Sequence, residues 1–206
     1  MRLGELQTLL RADAFRYSGG RLGLVRTFLR FPGFRYTATL RLAAFLREAP
    51  ARGYGLFYLV GMWLARLSIV YGVHIPNHTR IGPGLYLGHV GGIFVNGEVV
   101  IGANCNLSQG VTLGVGGTGG RRGCPVIGDE VYLGPGSVVF GPVRVGDRAA
   151  VGANAVVSRD VEPGASVGGI PATRISEHGS RGLIQHPWPP ANGGDAAREG
   201  LGREIR

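Results

Sequence analysis

From Ile75 onward an aliphatic side chain returns every six residues. The series runs Ile75, Ile81, Leu87 and Ile93, slips by two to Ile101, Leu107 and Leu113, and breaks over Gly114–Val126. It resumes as Ile127, Leu133, Val139, Val145, Val151 and Val157. Glycine usually follows the aliphatic residue. The position two before it is small or β-branched: Thr79, Gly91, Val99, Cys105, Val111, Val131, Ser137, Val143, Ala149 and Ala155. A period of six fits neither a lone helix nor a run of hairpins. It is the pattern of a parallel β-helix in which each hexad forms one flat side of a coil. The aliphatic residue and the small one two before it would face the narrow interior. Glycine is expected at the sharp corner, where a positive φ strains other residues. Thirteen positions hold this one register, which a disordered Gly-rich segment would not do.

Before the repeat, hydrophobic spacing gives four helices. Residues 4–16 are amphipathic through Leu6, Leu9, Leu10 and Phe15, and Ser18-Gly19-Gly20 ends them. Residues 22–30 form a second helix, stopped near Pro32-Gly33. A third covers 34–48, with Phe34, Leu40, Leu42, Phe45 and Leu46 on roughly one face. Residues 54–71 are the most apolar stretch, yet the uninterrupted apolar run before Arg66 is only about a dozen residues. A membrane span needs about 20, so a buried or interfacial helix fits better. Packing on the base of the β-helix or on a neighbouring subunit is the favoured reading, with contact to a membrane face as the alternative. The chain therefore divides into a helical region (1–72), a β-helix (73–176) and a tail (177–206). The tail's Pro187, Pro189, Pro190, glycines and mixed charges read as flexible.

At 206 residues, one main domain with appendages is expected. All 22 basic residues are arginine. Residues 1–70 hold eleven of them against Glu5, Asp13 and Glu48, which is +8 of the net +9. The positive field thus belongs to the helices. It suits an anionic membrane surface, an anionic substrate or simply solvated helix faces. No nucleic-acid motif accompanies it, so nucleic acid is not expected as a partner. Cys105 and Cys124 have no metal-ligand spacing and make no disulfide framework. No apolar leader follows Met1, which points to the cytoplasm, with the inner membrane surface as a second location.

The stretches GVHIPNHTRIGPGLYLGHVGGIFV and LSQGVTLG, the Gly-rich loop before CPVIGD, and GGIPATRI resemble the serine acetyltransferase branch of the hexapeptide acyltransferases. Residues 5–60, with RADAFRY and FLRFPGFRYTATLRLA, are more similar to short relatives from exopolysaccharide pathways. The resemblance implies a left-handed β-helix, a homotrimer, acetyl-CoA as co-substrate with no metal, and a histidine base. That base falls on His89. A hydroxyl is too weak an acid to attack a thioester unaided, and a neutral imidazole within reach can take its proton as the bond forms. Donor binding would fall on Gly114, Gly134, Gly136, Gly152, Ala153, Arg159, Pro171, Ala172 and Arg174. Small residues there would admit the pantetheine arm, and the arginines would meet the phosphates. Gln109 and Thr112 also match the family pattern.

The acceptor positions depart from the family. The carboxylate that partners the histidine is replaced by His74, and the Asp before the histidine by Gly88. The loop's Arg-His pair becomes Gly123 and Cys124, with Arg121 and Arg122 as nearby substitutes. A serine zwitterion needs a cation and an anion, whereas a sugar hydroxyl needs neither. A saccharide acceptor in exopolysaccharide assembly is therefore the favoured reading, with serine O-acetylation as the alternative. A further alternative is a trimeric scaffold or a zinc β-helix using His74, His78 and His89.

Overall fold

A computed structural model describes residues 1–48, 54–118, 120 and 122–189. Four helices lead: α1 (Leu3–Ser18), α2 (Leu24–Arg30), α3 (Pro32–Arg47) and α4 (Tyr54–Tyr71). The Glu5 carboxylate accepts from the Arg2 N–H at 2.7 Å and caps the start of α1. Gly19 closes α1 in the left-handed conformation, φ 59°. Pro32 opens α3, where a missing N–H costs nothing.

The strands that follow lie on three faces of a prism. Face A holds β1 (Val73–His74), β4 (Ile93–Val95), β7 (Thr112–Gly114), β10 (Val138–Phe140) and β13 (Val156–Val157). Face B holds β2 (Arg80–Ile81), β5 (Val100–Ile101), β8 (Val126–Ile127) and β11 (Arg144–Val145). Face C holds β3 (Tyr86–Leu87), β6 (Asn106–Leu107), β9 (Tyr132–Leu133), β12 (Ala150–Val151), β14 (Ser166–Gly168) and β15 (Thr173–Ser176). The pairings are parallel except β14–β15, and the coils form a left-handed β-helix. Register stacks like on like: Ile101 on Ile127, Leu107 on Leu133, Leu113 on Val139. These aliphatic columns are buried, as are Cys105, Val111, Val131, Ala149 and Ala155 between them.

Two details differ from the sequence reading. The corner glycine does not serve a positive φ. A methyl on Gly82 would lie 2.7 Å from both the Gly102 carbonyl carbon and the Ala103 nitrogen of the next coil. Close stacking, not torsion, excludes a side chain there. The left-handed residue comes two positions later and is often not glycine: Asn104, Glu130, Arg148 and Asn154 have φ of 54–58°. The two-residue slip is also placed differently. Val95 stacks on Leu113, and Val73 on Ile93. The inward series therefore steps from Leu87 to Val95, and the two extra residues lie in the Gly88–Gly92 corner rather than after Ile93.

The helices close the open edge of the first coil. The Ile75 N–H donates to the Tyr36 hydroxyl at 3.0 Å, and the Leu87 N–H to the Tyr17 hydroxyl at 3.1 Å. Arg41 donates to the Ile81 and Gly82 carbonyls at 2.7 and 2.6 Å, and Arg16 to the Gly84 carbonyl at 2.8 Å. Asp13 accepts from the Gly84 and Leu85 N–H groups, both at 2.9 Å. Burial raises the pKa of both tyrosine hydroxyls, that of Tyr17 strongly, and lowers that of Arg16. Polar side chains in α1 and α3 thus complete a ladder that otherwise ends unpaired.

The tail is not free over its first part. Residues 177–189 lie against the prism: Trp188 exchanges two hydrogen bonds with the Asn104 amide, and the Ser180 hydroxyl donates to the Glu130 carbonyl at 2.6 Å. The rest of the expected tail lies outside the described residues.

Candidate active site

The edge between faces C and A gathers the candidate base and most candidate donor residues. Its corners are 88–92, 108–111, 134–137 and 152–155, and the 169–172 turn follows. Gly92, Gly110 and Gly136 stack here with φ of 67–75°, and a methyl on Gly110 would meet the Gly136 Cα at 3.1 Å. Glycine is therefore favoured in this column by its positive φ, with the close approach of the next coil adding to it at Gly92 and Gly110. His89 projects from the two-residue insertion in the first of these corners and is exposed. The stacked backbone carries on without it, since the Gly110 N–H donates to the Gly91 carbonyl at 2.8 Å. Coils rise about 4.8 Å each, so His89 and the 169–172 turn bound a track roughly 15–20 Å long.

The donor candidates divide into those on this edge and those off it. Ala153 is exposed on this edge and Gly152 is half-buried. Gly134 is buried, and a methyl there would meet the Val151 carbonyl at 2.7 Å, so its glycine is demanded by coil stacking. Gly136 is half-buried; its φ of 69° favours glycine, and a methyl there would meet the Asn154 side chain. Ala172 donates its N–H to the Val156 carbonyl at 2.8 Å, and Gly169 accepts from the Val156 N–H at 3.0 Å. The turn carrying Pro171 therefore folds over the end of face A. Arg159 sits elsewhere, on the edge between faces A and B, and Arg174 is paired with Glu177 at 2.9 Å. Arg159 therefore lies off the track within one chain, whereas Arg174 directly follows the turn that ends it.

Of the acceptor candidates, His74 lies on face A. His74 stacks on Phe94, centroids 4.8 Å apart and planes 14° apart. The two rings help line an open cavity of about 560 Å³ with Asn96, Thr112, Gly114 and Val115. No atom comes within 4 Å of a methyl built on Gly114, so this glycine, unlike Gly134, leaves space rather than avoiding a clash. The loop after β7 is pinched at its neck, where Gly116 and Gly123 exchange hydrogen bonds at 3.0 Å. It reaches the A–B edge, and eight residues beyond three hexads separate Thr112 from its partner Val138. Arg122 is exposed beside Asn96, Glu98 and Val115; Arg121 lies outside the described residues.

The missing charges have structural counterparts. A methyl on Gly123 would lie 2.9 Å from Pro142 Cβ, which leaves no room for an arginine without a local shift. Cys124 stands 3.9 Å from the Glu98 carboxylate; burial and then that carboxylate push its thiol pKa up. At Gly88 a methyl would meet the Tyr86 ring at 2.9 Å, and that ring is held by Tyr17 and lies under Arg16. Among the described residues, no three His, Cys, Asp or Glu side chains gather as a metal site; His78 instead packs over Gly97. The sequence reading missed Phe94, Asn96 and Glu98. Phe94 was findable as an aromatic residue at an outward strand position, flanked by inward Ile93 and Val95. Glu98 carried no signal, because the loop fold brings it to Cys124.

A coiled prism with a histidine on one edge and a long loop on the next defines the hexapeptide-repeat transferase class. Residues 124–159 match the family described as bacterial transferase hexapeptide (six repeats). The serine acetyltransferase of Mycobacterium tuberculosis is 36% identical over 109 residues, covering 53% of this chain and 48% of that protein. The crystal structure of Neisseria gonorrhoeae serine acetyltransferase in complex with serine superposes with TM-score 0.69 at 31% identity, covering 84% of this chain and 70% of that one. Serine acetyltransferase from Brucella abortus in complex with coenzyme A gives TM-score 0.70 at 29% identity, covering 86% and 70%. The chain belongs to the serine acetyltransferase family. It spans about half the length of the first curated relatives it matches.

Proposed function

We propose that this protein is an acetyl-CoA-dependent O-acetyltransferase that uses His89 as general base. The imidazole takes the acceptor's hydroxyl proton while the oxygen attacks the thioester carbonyl. The tetrahedral intermediate collapses, and coenzyme A leaves as the thiol with that proton. The donor would lie along the C–A edge, over Gly152, Ala153 and the 169–172 turn. A homotrimer would bring the loop-bearing A–B edge of one copy toward the His89 edge of another and so join two half-sites. Acetyl-CoA chemistry places the reaction in the cytoplasm.

Serine is the leading acceptor. The observation that carries it is the likeness, over 84% of this chain, to a relative solved with serine. A saccharide hydroxyl is the second reading. It is favoured by the Glu98 carboxylate beside Cys124 and by the closure of Gly123 against Pro142, which together disfavour a bound carboxylate. Steady-state kinetics with L-serine, read by released thiol, separates them. A kcat/KM of about 10⁴ M⁻¹s⁻¹ or more is expected; a value orders of magnitude lower, with faster turnover of a glycan, overturns serine. His89→Asn should lower turnover by about 10²–10⁴-fold with coenzyme A binding retained, and near-normal turnover would remove His89 from the mechanism.

A further inference from the structure

Helix α4 buries only Leu64 and Leu67 fully, and turns Leu59, Met62, Trp63, Ile69 and Val70 outward. At 100° per residue these five, with Arg66 among them, form one face opposite the packed one. Ile69 is 79% exposed and Met62 62%. Arg35 joins the ends of α2 and α4, donating to the Tyr71 hydroxyl at 2.7 Å and to the Phe28 and Leu29 carbonyls at 3.2 and 2.7 Å. On α2, Val25 and Leu29 are also exposed. Arg35 thus ties together the ends of the two helices that carry these exposed apolar residues.

The charges around them have one sign. Arg21, Arg26, Arg30 and Arg66 are exposed, and none has an acidic partner among the described residues. The sequence has no Asp or Glu between Glu48 and Glu98. Of the acids before that gap, Asp13 is buried against Arg41, and Glu48 pairs with the amino terminus.

We infer that the outer face of α4, with α2, docks on an anionic lipid surface. Leu59, Met62, Trp63, Ile69 and Val70 would enter the interfacial layer. Arg66 would extend its guanidinium to the headgroups, and Arg26 and Arg30 would add to the attraction. Packing α4 against α4 of a second copy fits less well, since it sets Arg66 against Arg66 with no acid to offset them. The helix lies on the surface rather than crossing it.

The test is co-sedimentation of the full chain with vesicles, either of phosphatidylcholine alone or with an equal part of phosphatidylglycerol. Binding is expected only with phosphatidylglycerol, and should be largely lost at about 1 M salt, where screening falls to about 3 Å. Arg66→Ala should weaken binding about fivefold. Trp63→Glu and Leu59→Glu should abolish it while elution volume and acetyl-transfer rate stay unchanged. No sedimentation with anionic vesicles at low salt overturns the inference. So does a Trp63→Glu or Leu59→Glu variant that elutes as a smaller assembly, because α4 would then face another copy.

Discussion

Replacing Asp13 by Ala should loosen the junction between helices and prism. Its carboxylate is fully buried and accepts four hydrogen bonds: from Arg41 at 3.0 and 3.2 Å and from the Gly84 and Leu85 N–H groups at 2.9 Å. Truncation leaves a guanidinium, itself only 7% exposed, without its counter-charge. Removing one partner of such a pair costs about 3–5 kcal/mol. Two N–H groups also lose their acceptor, each worth about 1–3 kcal/mol. These costs overlap, since water and Arg41 can both shift into the gap, and about 4–5 kcal/mol is the expected total. For a chain of this size about 2–4 °C accompanies each kcal/mol, so the melting temperature should fall by about 8–20 °C. The assay is calorimetry at fixed protein concentration, because association would move the midpoint. Asp13→Asn, which keeps one acceptor oxygen, should fall by roughly half as much. Glu48→Ala, on an exposed ion pair, should scarcely move it. An Asp13→Ala variant melting within about 3 °C of the parent would refute the account of how the first coil is closed.

Val151→Asp would put an unpaired charge inside the prism at a cost of several kcal/mol; loss of soluble folded protein is expected, and a cooperative melt would refute the register. Alkali should destabilise the fold, because burial pushes the Cys105 thiol from 9.0 to about 12. The unfolded thiol ionises first, so stability is intact below about pH 9 and declines through about pH 12, by about 4 kcal/mol. Cys105→Ala should flatten that decline in melts from pH 8 to 11, while Tyr17 and Tyr36 keep part of it.

The prism was legible because every inward position repeats a demand that only aliphatic residues meet. Leu107, Leu133 and Val151 could be placed on one column from spacing alone. The His89 corner was mis-phased because Ile93 and Val95 both point inward, and spacing cannot say which continues the column. The glycines after the aliphatic residues were found for the wrong reason: the approach of the next coil is a long-range fact that a local torsion argument does not contain. The acceptor wall was legible as missing charges at Gly88, Gly123 and Cys124, but not as what replaces them. Tyr86, Pro142 and Glu98 reach those positions only through the fold. The anchoring of Trp188 and Ser180 to the prism was not legible, because Asn104 and Glu130, which hold them, are distant in sequence.

The two ends of the coil stack are closed by different devices. Tyr17, Tyr36, Asp13, Arg16 and Arg41 occupy the first; the turn over Val156 and the reversed strand β15 occupy the last. A parallel coil is a template for another such coil, and bare ends would invite copies to add head to tail into filaments. These bonds, made within the chain, occupy edge groups on which a further coil could otherwise pair. Any contact between copies would then fall on the flanks of the prism, where His89 and the long loop are displayed.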